Sequence, residues 1–252
     1  MNKEEQIFIH HCHDLSNRTY EHCYPLFTNF LNQNEISLLK EVEDDFMTSV
    51  TLYGGFEDAE RRMACFHLDA FSLSTEVYPI SILMITSAYK KENLSSLTHR
   101  DVLGAFMHLG IKREIIGDIL LYPEKIYIFC VADISSVVLT DLSKIGHQQI
   151  RIKEIPNGDF SYTPNFNEVH SQISSNRLDA FLSEACHISR KSSVEYILAG
   201  KVFINSKMID NYSKKLEEGD ILSIRGFGKI KFSAFEGISK KGKIKIAFFW
   251  YQ

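Results

Sequence analysis

The stretch from Ser189 to Lys207, SRKSSVEYILAGKVFINSK, decides the interpretation of the C-terminal third of this chain. Its apolar residues recur at helical spacing and predict a helix with one buried stripe, Val194, Ile197 and Leu198. Ser189 stands at an N-cap position and Gly200 at a C-cap position, and KVFINSKMI then predicts a strand and a turn. The unit places its apolar residues in the middle and its cations at both ends.

A second amphipathic helix precedes this stretch. In RLDAFLSEA the apolar residues fall at i, i+3, i+4 and i+7, namely Leu178, Phe181, Leu182 and Ala185. EEGDILSIRG and the tail KIKFSAFEGISKKGKIKIAFFWYQ predict further strands. Helix N-terminal amides beside Arg and Lys bind phosphate oxygens. We therefore predict an edge that binds the phosphates of a polyanion, made of Arg177, Ser189, Arg190, Lys191, Lys201, Asn205, Lys207, Arg225 and Lys229.

Two of these cations, Arg190 and Lys201, lie off the apolar stripe. Exposed substitutions usually change stability by less than about 0.5 kcal/mol. We therefore expect both residues to be replaceable without loss of stability.

The charges of the 252-residue chain are divided unevenly. Residues 176–252 hold 14 Lys+Arg and 8 Asp+Glu, a net charge of +6, whereas residues 1–175 hold 14 and 24, a net charge of -10. A basic C-terminal third on an acidic body indicates a polyanionic partner. The alternative is a chance fluctuation on a solvated surface.

The targeting features of the sequence indicate a cytoplasmic protein. The chain contains no uncharged apolar run of about 18 residues, so we expect no membrane span. The N-terminus MNKEEQIFIHHCHD lacks the apolar core of a secretion signal. The five cysteines are scattered without a CxxC pair, which fits reduced thiols.

The middle of the chain alternates strand and helix patterns. YPISILMITSAY, THRDVLGAFMHLG, GDILLY, KIYIFCV, ADISSVVLTDLSKIG and HQQIRIKEI predict the order βαββαβ, which is ferredoxin-like. We therefore expect an α+β protein. Its predicted parts are an N-terminal α+β domain at 1–76, a ferredoxin-like RNA-binding domain at 77–155, a linker or ordered loop at 156–173, and a C-terminal RNA-binding domain at 174–252.

Two arginine-containing motifs, GGFEDAERR and IKREIIGDIL, are candidates for a second RNA contact, through Arg61, Arg62, Lys112 and Arg113. A structural role is the alternative for both motifs. The first pair of arginines could pair locally with Glu57, Asp58 and Glu60. The second pair could cover the exposed face of a helix with a core formed by Ile115 and Ile116.

The ordered blocks RLD at 177–179, SR at 189–190, AGKVFIN at 199–205 and EEGDILSI at 217–224 resemble the S4 RNA-binding domain. The turn departs from that pattern, with Asn205-Ser206 where Asn-Gly is usual. Together with RGFGKIKF at 225–232, GGFEDAERR and HRDVLGAFMHLGIKREIIGDIL, the blocks resemble the YlmH family of bacterial S4 proteins over nearly the full chain.

This resemblance implies a cytoplasmic protein that associates with RNA on the ribosome, and we also expect it to be a monomer without catalytic activity. Its expected partners are ribosomal RNA and tRNA on the large ribosomal subunit, in ribosome-associated quality control of stalled peptidyl-tRNA complexes. A cell-division-associated protein-interaction module is the rival hypothesis.

An enzyme and a metal site are less favoured. The sequence has no Walker loop, GxSxG motif or methyltransferase glycine loop, and Asp179 lies inside a helix, where a role at the helix start is expected. We therefore expect no catalytic residue, cofactor or small-molecule substrate, although an RNA-modifying enzyme stays an alternative. HHCHD with His22 and Cys23 matches no standard zinc spacing, so we expect no metal.

Overall fold

The computed structural model of the chain describes residues 3–57, 59–68, 74–89, 93–156, 160, 166–205 and 207–251. The chain forms two compact units, Met1–Tyr162 and Thr163–Gln252, and mixes helices with several antiparallel sheets. The predicted α+β class is confirmed. The division of the first unit into two domains stays a prediction.

The first unit contains the predicted βαββαβ order in its second half, whereas its N-terminal segment contains helices and strands that the sequence did not predict. Its helices are α1 (Lys3–His22), α2 (Gln33–Glu41), α3 (His99–His108) and α4 (Ser135–Asp141). Its strands are β1 (Leu26–Leu31), β2 (Ser49–Tyr53), β3 (Arg62–His67), β4 (Ile80–Ser87), β5 (Ile116–Leu121), β6 (Lys125–Val131), β7 (Lys144–Ile145) and β8 (Gln148–Ile155).

A five-stranded sheet in the order β5-β6-β4-β8-β7 carries the ferredoxin-like βαββαβ pattern. Strands β4 and β6 lie in its centre and pair in antiparallel register from Ile80 opposite Val131 to Thr86 opposite Lys125. Helix α3 begins where the sequence predicts, because the Thr98 side chain accepts a hydrogen bond from the Asp101 amide in a capping box.

The two faces of this sheet are covered by different parts of the first unit. Leu83 and Ile128 point to the face beneath α3 and α4. Ile82 and Phe129, one position along each strand, enter a second core with Phe56 and other residues from the N-terminal segment. RNA-binding sheets expose aromatic side chains on such a face. Here Phe129 on that face is fully buried in the second core, and Tyr127 packs against the same core with only part of its surface exposed.

The two glycines of GGFEDAERR allow this close packing. Gly55 has a φ of +100°, and a Cβ there would lie 2.3 Å from Cδ1 of Phe129. A Cβ at Gly54 would lie 2.3 Å from the carbonyl oxygen of Arg61. Any larger residue would therefore clash with the sheet or with the turn itself.

The N-terminal segment forms a three-stranded sheet in the order β1-β3-β2. Cys12 and Leu15 of α1 and Ile36 and Leu39 of α2 are buried against Phe66 of β3. The helices therefore pack on this sheet through one apolar stripe each.

The second unit builds its own core from two helices and a six-stranded sheet. Its helices are α5 (Leu178–Ala185) and α6 (Arg190–Leu198), and its strands are β9 (Phe166–Ile173), β10 (Val202–Ile204), β11 (Lys207–Met208), β12 (Ile221–Ile224), β13 (Gly228–Ile238) and β14 (Ile244–Tyr251). The sheet order is β11-β10-β12-β13-β14-β9. The predicted stripe of α5 is confirmed, since its four apolar residues are all buried.

Strand β9 lies inside the predicted linker at 156–173. It pairs with β14 over eight residues, from Phe166 opposite Tyr251 to Ile173 opposite Ile244. The segment that precedes the two helices therefore belongs to the sheet of the second unit. Residues 157–159 and 161–165 of the predicted linker lie outside the described residues.

The predicted stripe of α6 is wrong at Leu198, which is 62% exposed. The buried face is centred on Ser193 and Ile197, both 0% exposed. Ser193 fits there because its hydroxyl donates to the carbonyl oxygen of Ser189 at 3.1 Å. Leu198 lies about 100° further round the helix than Ile197 and faces away from the core.

Candidate nucleic-acid interface

A buried carboxylate connects the N-terminal ends of α5 and α6. Asp179 is 5% exposed, and its two oxygens contact Nε of Arg177 at 3.0 Å and Nη2 of Arg190 at 3.2 Å. Burial alone would raise the pKa of Asp179, but the hydrogen bonds from the two arginines outweigh it and hold that pKa below its ordinary value. The two helix ends are therefore joined by an ionised residue.

This ion pair orients two of the predicted RNA-binding cations. The side chains of Arg177 and Arg190 are 39% and 49% exposed. Each guanidinium carries five N–H donors, so a contact with Asp179 leaves others directed toward solvent. The expectation that Arg190 is replaceable without loss of stability is corrected, because it neutralises a buried charge.

Ser189 caps α6 as the sequence predicts. Its hydroxyl oxygen accepts a hydrogen bond from the Ser192 amide at 3.0 Å. Arg190 and Lys191 form the first turn of the helix, which contains no acidic residue. Amides and cations thus coincide at one exposed helix end, an arrangement suited to phosphate oxygens.

The other end of α6 carries a second group of cations. Gly200 has a φ of +65° and turns the chain after the C-cap residue. Lys201 Nζ lies 4.7 Å from the ring centroid of Tyr196, and the Lys201 carbonyl accepts a hydrogen bond from the Arg225 amide at 2.9 Å. Lys207 is exposed on β11, opposite Ile204.

Asn205 has a structural role in the turn after β10. Its φ is +49°, its Nδ2 donates to Oδ1 of Asp220 at 2.8 Å, and its Oδ1 accepts from the Ile221 amide at 2.9 Å. The side chain thus joins two loops, and its RNA contact stays a prediction. Ser206 lies outside the described residues.

The arginines proposed as a second RNA contact donate into the first unit. Nη2 of Arg61 donates to the Phe30 carbonyl at 2.6 Å, and its Nε donates to the Ile116 carbonyl at 3.0 Å. Arg113 donates to the same Ile116 carbonyl at 2.6 Å, and burial lowers its pKa to about 10. These contacts give both arginines a structural role, but not the predicted one: Arg61 donates to distant backbone carbonyls, and Arg113 lies in a short 3-10 turn before β5 and not on the face of a helix.

Arg62 and Lys112 differ from these two arginines. Nε of Arg62 donates to the Ala59 carbonyl at 2.6 Å within the same turn, whereas Lys112 is exposed. Asp58, proposed as a local partner, lies outside the described residues. An RNA contact by this group stays a prediction.

The cysteines and histidines do not form a reactive site in the described part of the chain. Burial raises the pKa of Cys12, Cys65 and Cys130 to about 12 and that of Cys186 to about 11, so these thiols stay protonated. No group of three or more His, Cys, Asp or Glu residues that could hold a metal occurs among the described residues. Over the same residues, every helix is too short or too polar to span a bilayer.

Two separate segments of the chain match known protein families. Residues 74–159 match the family described as "Putative RNA-binding domain in YlmH", and residues 176–222 match the S4 domain family. The chain is 28% identical to the Ribosome-associated protein quality control protein P2 of Bacillus subtilis (strain 168), over 98% of this chain and 95% of that protein.

One solved structure shares the fold. It is the cell division protein ylmH from Streptococcus pneumoniae, with a TM-score of 0.54 and 21% identity over 63% of this chain and 95% of that chain. A match to the YlmH RNA-binding domain precedes a match to the S4 domain, and the similarity to the Bacillus protein spans nearly the whole length, so the chain resembles the YlmH proteins in the order of its domains.

Proposed function

We propose that this protein binds structured RNA and catalyses no reaction, and that its ligands are ribosomal RNA and tRNA on the large ribosomal subunit. The observation that carries the proposal is the pair of helix ends organised by Asp179. One ionised carboxylate holds Arg177 and Arg190 beside the capped N-terminus of α6. Such a preset group of donors suits the irregular phosphate geometry of a folded RNA.

The net charge and the similarity to the Bacillus protein both support RNA as the ligand. The net charge of +6 for residues 176–252 favours a polyanion over an ordinary protein surface. The Bacillus relative is named a ribosome-associated protein quality control protein. We therefore propose that the protein acts in the cytoplasm, as a monomer, on stalled ribosomal complexes that retain peptidyl-tRNA.

Sedimentation of a lysate through a sucrose gradient tests this assignment. The protein should travel with large ribosomal subunits, and more of it should do so when translation is stalled. Release by high salt should accompany this, because phosphate contacts weaken as counterions compete.

A cell-division interaction module is the second candidate, because the structural relative from Streptococcus carries a cell-division title. Under this alternative the protein would migrate with membrane or division proteins and not with ribosomal particles. That result would contradict the RNA proposal.

The helix-end cations can be tested separately from stability. Lys191→Ala with Lys201→Ala removes two exposed ammonium groups and leaves the Asp179 ion pairs intact. The log-log salt slope for ribosomal RNA should fall by about 0.7–0.9 for each lost phosphate contact. Lys40→Ala with Lys144→Ala, which removes two exposed lysines of the first unit that are not predicted to contact RNA, serves as the matched control. An unchanged slope in the helix-end double variant would mean that the helix ends are solvated surface.

A further inference from the structure

The six-stranded sheet of the second unit has one face buried under the helices and one face directed away from them. Val202, Ile224, Ile230 and Phe248 belong to the core, each on a different strand. Side chains alternate between the faces of a strand, so the residues next to these point to the opposite side. We call that side the outer sheet face, and define it by Phe203, Arg225, Lys229, Lys231, Phe249 and Tyr251.

The outer sheet face interleaves cations with aromatic rings. The guanidinium of Arg225 lies 5.4 Å from the ring centroid of Phe203, and Nζ of Lys229 lies 5.7 Å from that of Tyr251. Lys231 stands directly opposite Phe249 in the pairing of β13 with β14. All three rings retain partial exposure, and Arg225 is exposed.

The strand register places these groups in one band. Phe203 is opposite Ser223, and Ser223 is opposite Lys229. Neighbouring strands lie about 4.8 Å apart, so the band from Phe203 on β10 to Tyr251 on β14 spans about 14 Å. That width accommodates two or three nucleotides.

Acidic side chains mark the edge of this band. Glu168 on β9 and Glu236 on β13 both contact the imidazole of His170, at 3.6 Å and 3.0 Å. Carboxylates repel phosphates, so a polyanion on this face would follow the end of β13 that carries Lys229 and Lys231 and avoid both β9 and the end of β13 that carries Glu236.

We propose, given the RNA-binding function proposed above, that the outer sheet face binds unpaired nucleotides of an RNA. Bases stack on the partly exposed rings of Phe203, Phe249 and Tyr251, and the cations contact the neighbouring phosphates. Aromatic rings beside cations on a sheet favour single strands, because every base offers a π-face and the backbone follows the charge. The N-terminal ends of the helices bind folded RNA on the other side of the sheet. The protein therefore binds a folded RNA element and an adjacent loop or single strand of the same RNA.

Fluorescence anisotropy of the full chain with a dye-labelled oligoadenylate of about ten nucleotides tests this proposal, since single-strand site sizes run from about 4 to 16 nucleotides. Phe249→Leu with Tyr251→Leu removes two π-faces but keeps apolar volume on β14. We expect oligoadenylate binding to weaken about tenfold. Binding to a ribosomal RNA hairpin without unpaired tails should change less than about twofold.

A second variant keeps the test independent of folding defects on β14. Lys229→Gln with Lys231→Gln should lower the salt slope for oligoadenylate by about 0.7 for each lost contact. Lys191→Gln with Lys201→Gln at the helix ends is the matched control, and should weaken hairpin binding while sparing oligoadenylate binding. Emission of Trp250, the single tryptophan of the chain, checks that each variant is folded.

The outcomes separate this proposal from the function on which it rests. If the wild-type protein binds the hairpin but not oligoadenylate, only the proposal for the outer sheet face is refuted. Unchanged oligoadenylate affinity in the outer-face variants would refute the same proposal. If the outer-face variants no longer sediment with ribosomal particles but still bind oligoadenylate, the outer sheet face binds a protein partner, and the proposal is refuted. A wild-type protein that binds neither RNA overturns both.

Discussion

Replacing Arg190 with alanine should destabilise the second unit, because the substitution removes one of two cations from a buried carboxylate. Asp179 is 5% exposed and would keep only Arg177, at 3.0 Å. Removing a partner from a fully buried ion pair costs about 3–5 kcal/mol. The side chain of Arg190 is 49% exposed, so water screens much of this interaction, and we expect a loss of about 1–2 kcal/mol.

The single tryptophan makes this loss measurable within the full chain. Trp250 packs against the core of the second unit, so its emission follows the unfolding of that unit. For a domain of 60–100 residues, each kcal/mol lowers the melting temperature by about 4–8 °C. Lys191→Ala, which replaces the neighbouring exposed cation of the same helix, is the matched control and should change stability by less than about 0.5 kcal/mol.

The pH dependence identifies the responsible group. The pKa of Asp179 lies below its ordinary value in the folded state, so the stabilisation is fully present above the unfolded pKa of about 3.9. It is lost as the pH falls through the folded pKa. The difference between wild type and Arg190→Ala should therefore be constant near neutral pH and shrink in acid. Equal melting of Arg190→Ala and Lys191→Ala at pH 7 would refute this reasoning.

Three further predictions concern the fold. A fragment of residues 163–252 should unfold cooperatively, whereas a fragment of residues 174–252 should be markedly less stable in urea, because it lacks the strand that pairs with β14. Gly55→Ala should cost about 1–3 kcal/mol through overpacking against a buried ring, whereas Gly104→Ala, with open space around its Cβ and a place inside α3, should be neutral or stabilising. By NMR titration His170 should show a pKa above about 6.5, because the adjacent carboxylates favour its charged form. The stability that these contacts provide should be lost as the pH rises through that raised pKa. An ordinary pKa for His170 would mean that the contacts with the carboxylates do not form in solution.

The elements predicted correctly depend on short-range signals. Ser189 caps α6 through an amide three residues away, and Thr98 caps α3 in the same way. The four apolar residues of α5 lie within eight positions, so their common face follows from helix geometry alone. Such features involve residues that are close together in the chain, so they can be predicted from the sequence.

The remaining features depend on partners that are distant in sequence. Arg61 donates to carbonyl groups of Phe30 and Ile116, and no local pattern identifies a backbone acceptor so far along the chain. Strand β9 follows a Pro- and Asn-rich segment, and its pairing is decided by β14. Leu198 has the spacing of a core residue, yet the tertiary contacts bury Ser193 in its place.

The outer sheet face can be recognised in the sequence from the alternation of residues, although not from the composition. In KIKF, Lys229 and Lys231 alternate with the apolar residues Ile230 and Phe232, which is the period of a strand with one buried face. The last strand begins with the same alternation, Ile244-Lys245-Ile246, and then continues as an apolar and aromatic run. A basic tail rich in aromatic residues therefore indicates a two-sided sheet, and the side opposite the core is the one to search for ligands.

The pairing of β9 with β14 has a consequence for synthesis on the ribosome. β9 ends at Ile173 and its partner begins at Ile244, so about 70 residues must be added before the pair can close. At about 5–20 residues per second the wait lasts roughly 4–14 seconds. During that interval Val169 and Ile173, which later pack in the core of the second unit, have no strand to pair with. The nascent second unit therefore passes through a stage with an open sheet edge, and chaperones or slow translation over this region would influence its yield.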